Sequence, residues 1–136
     1  MAILLVEDEA LIQEIMAESL RDDGFEVIQA ATGDEAIAII AHLDHPPEAL
    51  VSDFHMPGNA DGADVAAAAR ARYPGLPVII ASGRPDVLAR FWEPDLGYRF
   101  LGKPFLPRQL ITLLRDMLEP PHLGRFLTSQ ETRARR

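Results

Sequence analysis

The chain reads as an α/β domain built on a parallel sheet with helices on both faces. Three observations predict this. Short apolar runs such as Ile3–Val6 and Pro77–Ala81 lack polar alternation, the pattern of strands buried on both sides. Segments with apolar residues at helical spacing separate these runs. The alternation of strand and helix repeats five times, as a parallel sheet with crossover helices requires.

Ile3–Val6 is the first strand, and Glu7-Asp8-Glu9 follows it at once. Leu11, Ile12, Ile15, Met16 and Leu20 then recur at helical spacing and are expected to form a core stripe. Asp22-Asp23-Gly24 ends that helix, with glycine as the left-handed cap. Phe25–Ala30 is a weaker strand containing Glu26 and Gln29, which suits a sheet edge. Thr32-Gly33-Asp34-Glu35 reads as a capping box, and Ala36, Ile37, Ile40 and Leu43 face the core behind it. His42, Asp44 and His45 precede Pro46-Pro47. A surface linker explains them better than a metal site, which needs more ligands than this stretch offers.

Ala49–Asp53 is the third strand, stopped by Met56-Pro57-Gly58. Asp61-Gly62-Ala63-Asp64 opens a helix with acids at its positive end, and Ala66–Ala69 lets it lie close to the sheet. After Tyr73-Pro74-Gly75 comes the strand Pro77–Ala81, ending at Ser82-Gly83. Arg84-Pro85-Asp86 starts a short helix through Val87, Leu88, Phe91 and Trp92 to Pro94. Tyr98–Leu101 is the fifth strand and ends at Gly102-Lys103-Pro104. Pro107 begins the last helix, with Leu110, Leu113, Leu114 and Met117 as its core stripe, and Pro120-Pro121 closes the folded part.

Residues 1–119 thus form one domain, large enough for a proper core. Residues 120–136 form a basic tail, expected to be partly disordered. The net charge of −8 hides an asymmetry: −11 over residues 1–119 and +3 over the tail. An acidic domain argues against nucleic acid as a direct partner. There is no cysteine, so disulfides and thiolate metal sites are excluded. No apolar run approaches a membrane span and no basic stretch precedes Ile3, so a cytoplasmic protein with no membrane partner is expected.

In a parallel sheet all carboxyl ends lie on one rim, where open α/β sheets place their chemistry. Strand one ends in Glu7-Asp8, strand three in Asp53, strand four in Ser82, strand five in Lys103. Singly, each has a bland explanation: a helix cap, a turn residue, a strand end. Their convergence does not. Two carboxylates about 4 Å apart repel by about 4 kcal/mol at an effective dielectric near 20, so something must hold them. A hard cation with oxygen ligands does so, and Mg²⁺ (or Mn²⁺ in its place) suits three carboxylates beside open water positions. Lys103, the only lysine in the chain, is a compact mobile charge that can pair with Asp53 or with a phosphoryl oxygen. Ser82 offers a hydroxyl to the same oxygens. Asp53 becomes a nucleophile, and the product is an acyl phosphate.

Leu-Leu-Val-Glu-Asp-Glu at 4–9, Ser-Asp-Phe-His-Met-Pro-Gly at 52–58, Ala-Ser-Gly at 81–83 and Phe-Leu-Gly-Lys-Pro-Phe at 100–105 resemble the receiver domain of bacterial response regulators, the CheY-like family. The resemblance implies a flavodoxin-like (βα)5 fold, a three-layer sandwich with strand order 2-1-3-4-5. It implies that Asp53 takes a phosphoryl group from a partner histidine kinase or phosphotransfer protein. Glu7, Asp8, Asp53 and the backbone carbonyl of His55 would hold Mg²⁺. Ser82 and Lys103 stand where the family keeps its switch hydroxyl and its lysine, and Phe100 resembles its rotating aromatic. The Lys103–Pro104 peptide is expected to be cis. Phosphorylation would change the face of the fourth helix, fifth strand and last helix, where Arg90, Trp92, Arg99 and Arg108 are expected to meet a downstream partner. The form around Asp53 looks most like receivers attached to hybrid histidine kinases. Two departures stand out. Glu7 replaces the usual Asp, and Phe100 lacks the hydroxyl of the more usual Tyr.

The expected role is therefore a phosphoacceptor module of a two-component phosphorelay, not an enzyme, without a DNA-binding output domain, and monomeric or weakly dimeric. Two alternatives compete. A haloacid-dehalogenase-like phosphatase also pairs an Asp nucleophile with Mg²⁺, Ser and Lys. It needs a second acid two residues on, where His55 stands here. A flavodoxin-like cofactor binder needs a phosphate cradle after strand one, where Glu7-Asp8-Glu9 would repel the ligand.

Overall fold

The computed structural model describes residues 2–86 and 96–119. The elements are β1 (Ala2–Val6), α1 (Ala10–Asp22), β2 (Glu26–Ala30), α2 (Gly33–His42), β3 (Ala49–Asp53), α3 (Gly62–Arg72), β4 (Val78–Ser82), β5 (Arg99–Gly102) and α4 (Pro107–Leu118). The expected helix over 84–94, with Arg90 and Trp92, falls largely outside the described residues, as does the tail 120–136. All strand pairings are parallel, in the order β2-β1-β3-β4-β5. The weaker strand β2 takes an edge, as its Glu26 and Gln29 anticipate.

From Ile3 to Val6 the residues of β1 face two cores in turn, because successive side chains point to opposite sides of a sheet. Ile3 and Leu5 join Met16, Ala17, Leu20, Leu110 and Leu114 under α1 and α4. Leu4 and Val6 join Ala36, Ile40, Val65, Ala66 and Ala69 under α2 and α3. The result is a three-layer sandwich whose central strands β3 and β4 are buried along their whole length.

Two expectations are corrected. Leu11, Ile12 and Ile15 do not join the core stripe of α1; they are 73%, 36% and 44% exposed. Ala17 lets α1 approach the sheet on the face it shares with Met16 and Leu20, and at 100° per residue that turns Leu11, Ile12 and Ile15 aside. The capping box of α2 is half formed. Thr32 accepts from Glu35 N–H at 3.0 Å, but Glu35 returns to Ala31 N–H, one residue before the cap. A complete box closes α3 instead, where Asp61 and Asp64 each accept the other's backbone N–H at 3.0 Å. Among the described residues no helix is long and apolar enough to cross a membrane.

Candidate functional site

Strand register assembles the site. Val6 lies beside Ser52, so the next residues, Glu7 and Asp53, come out together at the carboxyl rim. Asp53 lies beside Ala81, and Ser82 beside Gly102. Lys103 N–H donates to the Ser82 carbonyl at 2.8 Å, which carries the β4–β5 pairing one residue further. The Lys103–Pro104 peptide is cis, as expected. Glu7, Asp8 and Asp53 each bring one carboxylate oxygen within 4.8 Å of the others, while Glu7 and Asp53 are buried and Asp8 is exposed.

Lys103 Nζ lies 2.8 Å from Asp53 Oδ1 and 4.0 Å from Glu7 Oε1. Glu7 Oε2 accepts the Glu9 N–H at 3.0 Å. Asp53 Oδ2 is buried and has no hydrogen-bond donor. Burying a carboxylate oxygen without a donor or a cation is costly, so this atom is poised for a ligand. Burial pushes Asp53 above its usual carboxylate range, against the opposing pull of Lys103. Burial likewise raises Glu7 to about 7, opposed by the Glu9 N–H and reinforced by Asp53. Burial alone would lower Lys103, but its bond to Asp53 and the charges of Asp53, Glu7 and Glu9 outweigh it and leave the ammonium raised. Three acids against one ammonium leave an excess of negative charge. With two of the acids buried, this donor set fits a hard divalent cation.

Ser82 is buried, and its hydroxyl oxygen accepts the Arg84 N–H at 2.9 Å. That is the turn role the sequence offers as an alternative, and it leaves the hydroxyl proton able to donate elsewhere. Phe100 lies beside Ile80 and packs on the α2–α3 side of the sheet. His55 is exposed, its ring edge-on to Phe54 at 4.7 Å. Arg99 pairs with Asp116 at 3.7 Å, and Arg108 lines a surface cavity of about 530 Å³ with Leu101 and Leu113. Arg90 and Trp92 lie outside the described residues.

Sequence reasoning missed two supports. Gln13 counts there only as a polar residue between core positions. Its Nε2 donates to the Glu7 carbonyl at 3.0 Å and to the Ala30 carbonyl at 2.8 Å, tying the ends of β1 and β2. The signal was a glutamine one turn ahead of Ala17 on the sheet-facing side. The second support is the exposed apolar face of α1. It borders a cavity of about 370 Å³ lined by Glu9, Ile12, Met16, Lys103, Pro104 and Phe105, with Leu106 exposed nearby.

A family model described as "Response regulator receiver domain" matches residues 3–115. The uncharacterized transcriptional regulatory protein YbdJ of Bacillus subtilis (strain 168) is 32% identical over 124 residues, 91% of this chain and 53% of that protein. Sensor kinase CckA of Brucella abortus (strain 2308) is 36% identical over 118 residues, 86% of this chain and 12% of that protein. The chain thus spans about half or less of these relatives. The crystal structure of the receiver domain from hybrid histidine kinase CckA superposes with a TM-score of 0.74 at 33% identity, covering 88% of this chain and 100% of that one.

Proposed function

The chain belongs to the response regulator receiver family of two-component signalling, and from that premise we propose that Asp53 accepts a phosphoryl group from a partner histidine kinase or phosphotransfer protein. The observation that carries this reading is the Asp53 carboxylate. One oxygen is held by Lys103 at 2.8 Å and the other is buried without a donor. That is a carboxylate oriented from one side and left without a partner on the other.

In the reaction an Asp53 oxygen attacks the phosphorus of a phosphohistidine. The P–O bond forms as the P–N bond breaks, and the imidazole leaves with the electron pair. Mg²⁺ held by Glu7, Asp8, Asp53 and the His55 carbonyl would neutralise charge on the phosphoryl oxygens. Lys103 passes from the carboxylate to a phosphoryl oxygen, and Ser82 donates its free hydroxyl proton to another. Phe100 follows Ser82, and the face bearing Arg99 and Arg108 reports the change to a protein partner. Ile12 at the Lys103 cavity, with Leu11 and Ile15 exposed on the same helix, supports the approach of a partner's apolar surface to the site.

The module is a phosphoacceptor and not a turnover enzyme. His55 stands where the phosphatase alternative needs an acid, and steady turnover of a phosphomonoester would favour that alternative. Incubation with acetyl phosphate and Mg²⁺ tests the reading by intact mass. Wild type gains one phosphoryl group and Asp53→Asn gains none; a label retained by Asp53→Asn moves the phosphosite elsewhere.

A further inference from the structure

The loop from Phe54 to Asp61 leaves Asp53 and returns the chain to α3, carrying His55 with it. The loop's first residue is still tied to the sheet, with Phe54 N–H donating to the Ala81 carbonyl at 2.9 Å, but beyond it the loop leaves the sheet. It is held by α2, an element with no other part in the site. Asn59 N–H donates to Asp34 Oδ2 at 3.1 Å. Gly33 has no Cβ, and one built there would stand 2.4 Å from the Ala60 carbonyl oxygen. Gly58 has φ +99°, and a Cβ there would stand 2.8 Å from Asp34 Oδ2. Three successive loop residues therefore rest on two successive helix residues. Gly62 closes the far end. Its N–H donates to the Phe54 carbonyl at 2.8 Å, and a Cβ there would stand 2.4 Å from the Asp53 carbonyl oxygen. The neighbouring acid cannot share the task, since Glu35 is turned back to the Ala31 N–H.

We propose that Asp34 is a positioning residue: its carboxylate clamps Asn59 and so sets the loop between Asp53 and α3 that carries His55. The proposal rests on the phosphoacceptor reading. The clamp acts before any phosphoryl group arrives, by narrowing the conformations the loop must lose when a cation binds.

The test compares Asp34→Ala and Asp34→Asn in the full chain. Amide hydrogen exchange at Asn59 reads the clamp, and Mn²⁺ titration reads the site. Loss of one solvent-exposed hydrogen bond predicts about fivefold faster Asn59 exchange and about fivefold weaker Mn²⁺ binding in Asp34→Ala. Asp34→Asn keeps an acceptor oxygen in place and returns both values to within about twofold of wild type. Unchanged Asn59 exchange in Asp34→Ala overturns the clamp and leaves the phosphoacceptor reading standing. Asp34→Asn behaving as Asp34→Ala also overturns it, because charge on the helix end would then be acting at a distance. A wild type that binds no Mn²⁺ overturns the reading and the clamp with it.

Discussion

At the carboxyl rim of the sheet, Glu7, Asp8 and Asp53 bring their oxygens within 4.8 Å of one another, and Lys103 joins them. At the amino rim, Glu26, Asp44, His45 and Glu48 line a surface cavity of about 470 Å³ with Pro46 and Pro47. The two rims carry similar residues. Yet among the described residues only the first holds acids close enough to share an ion. The difference lies in the backbone beneath them. Glu7 directly follows β1 and Asp53 ends β3, two paired and largely buried strands, so register forces them together and burial strips their water. Glu26, Asp44 and Glu48 sit on an edge strand and a proline linker, exposed, where water screens each one separately. His42, near the same linker, has its Nδ1 3.0 Å from the Ala38 carbonyl, a local contact that agrees with the linker reading.

The largest effect should come from moving a ligand. Asp8→Asn is expected to weaken Mn²⁺ binding by about 100-fold, whereas Glu26→Gln and Glu48→Gln change it by less than about twofold. Comparable losses at both rims, measured by calorimetric titration, would erase the distinction drawn between them.

A proton can replace the cation. The folded-state pKa of Glu7 is raised from 4.5 to about 7, so between those values the native protein holds a proton that the unfolded chain has lost. Metal-free stability should therefore fall as pH rises from about 4.5 to about 7, by on the order of 2 kcal/mol. Mg²⁺ should restore it above pH 7, and Glu7→Gln should flatten the profile. Urea titrations in chelator at pH 5 and pH 8 measure this, and a rise in stability with pH would rule out a raised Glu7 as the group responsible.

Among the described residues Lys103 is the only cation paired with the dry carboxylates, and Lys103→Ala removes it. A loss of about 1–2 kcal/mol is expected at pH 8, discounted because the ammonium is partly exposed, and less at pH 5, where Glu7 is protonated. Equal losses at both pH values would mean that the lysine acts through packing alone. The same variant should accept the phosphoryl group without the accompanying change in amide spectra on the β5–α4 face.

The smallest effect on stability is expected on α1. Leu11→Ser and Ile15→Ser should change it by less than about 0.5 kcal/mol, because both side chains are exposed. They should slow phosphotransfer from a kinase while leaving labelling by acetyl phosphate intact. Leu20→Ala, on the buried face of the same helix, should cost about 2–5 kcal/mol. A thermal melt that ranks Leu11→Ser with Leu20→Ala would place the stripe back in the core.

The strands and most of the helices were legible because period and punctuation are local. Ile3–Val6 reads as buried whichever neighbour it pairs with, and Gly24 or Pro107 marks a boundary without knowledge of the rest. The rim was legible by one further step: parallel strands put every carboxyl end on one side, which placed Glu7, Asp53, Ser82 and Lys103 together. Strand order came with the family resemblance, since five apolar runs of similar strength do not state who pairs with whom. The face of α1 was misread because Leu11, Ile12 and Ile15 have the spacing of a core stripe, and spacing does not reveal which stripe turns inward. Gln13 and Asp34 were missed for the same reason.

What the sequence determined by itself is the kind of chemistry at hand: acids, one lysine and one serine at strand ends, and apolar runs able to bury them. Only the tertiary structure decided which Asp53 oxygen is held and which is bare, which face of α1 meets solvent, and which distant helix grips the loop after Asp53. Those outcomes depend on contacts between residues far apart in the chain, and such contacts form only when the sheet and its two helical layers close around them.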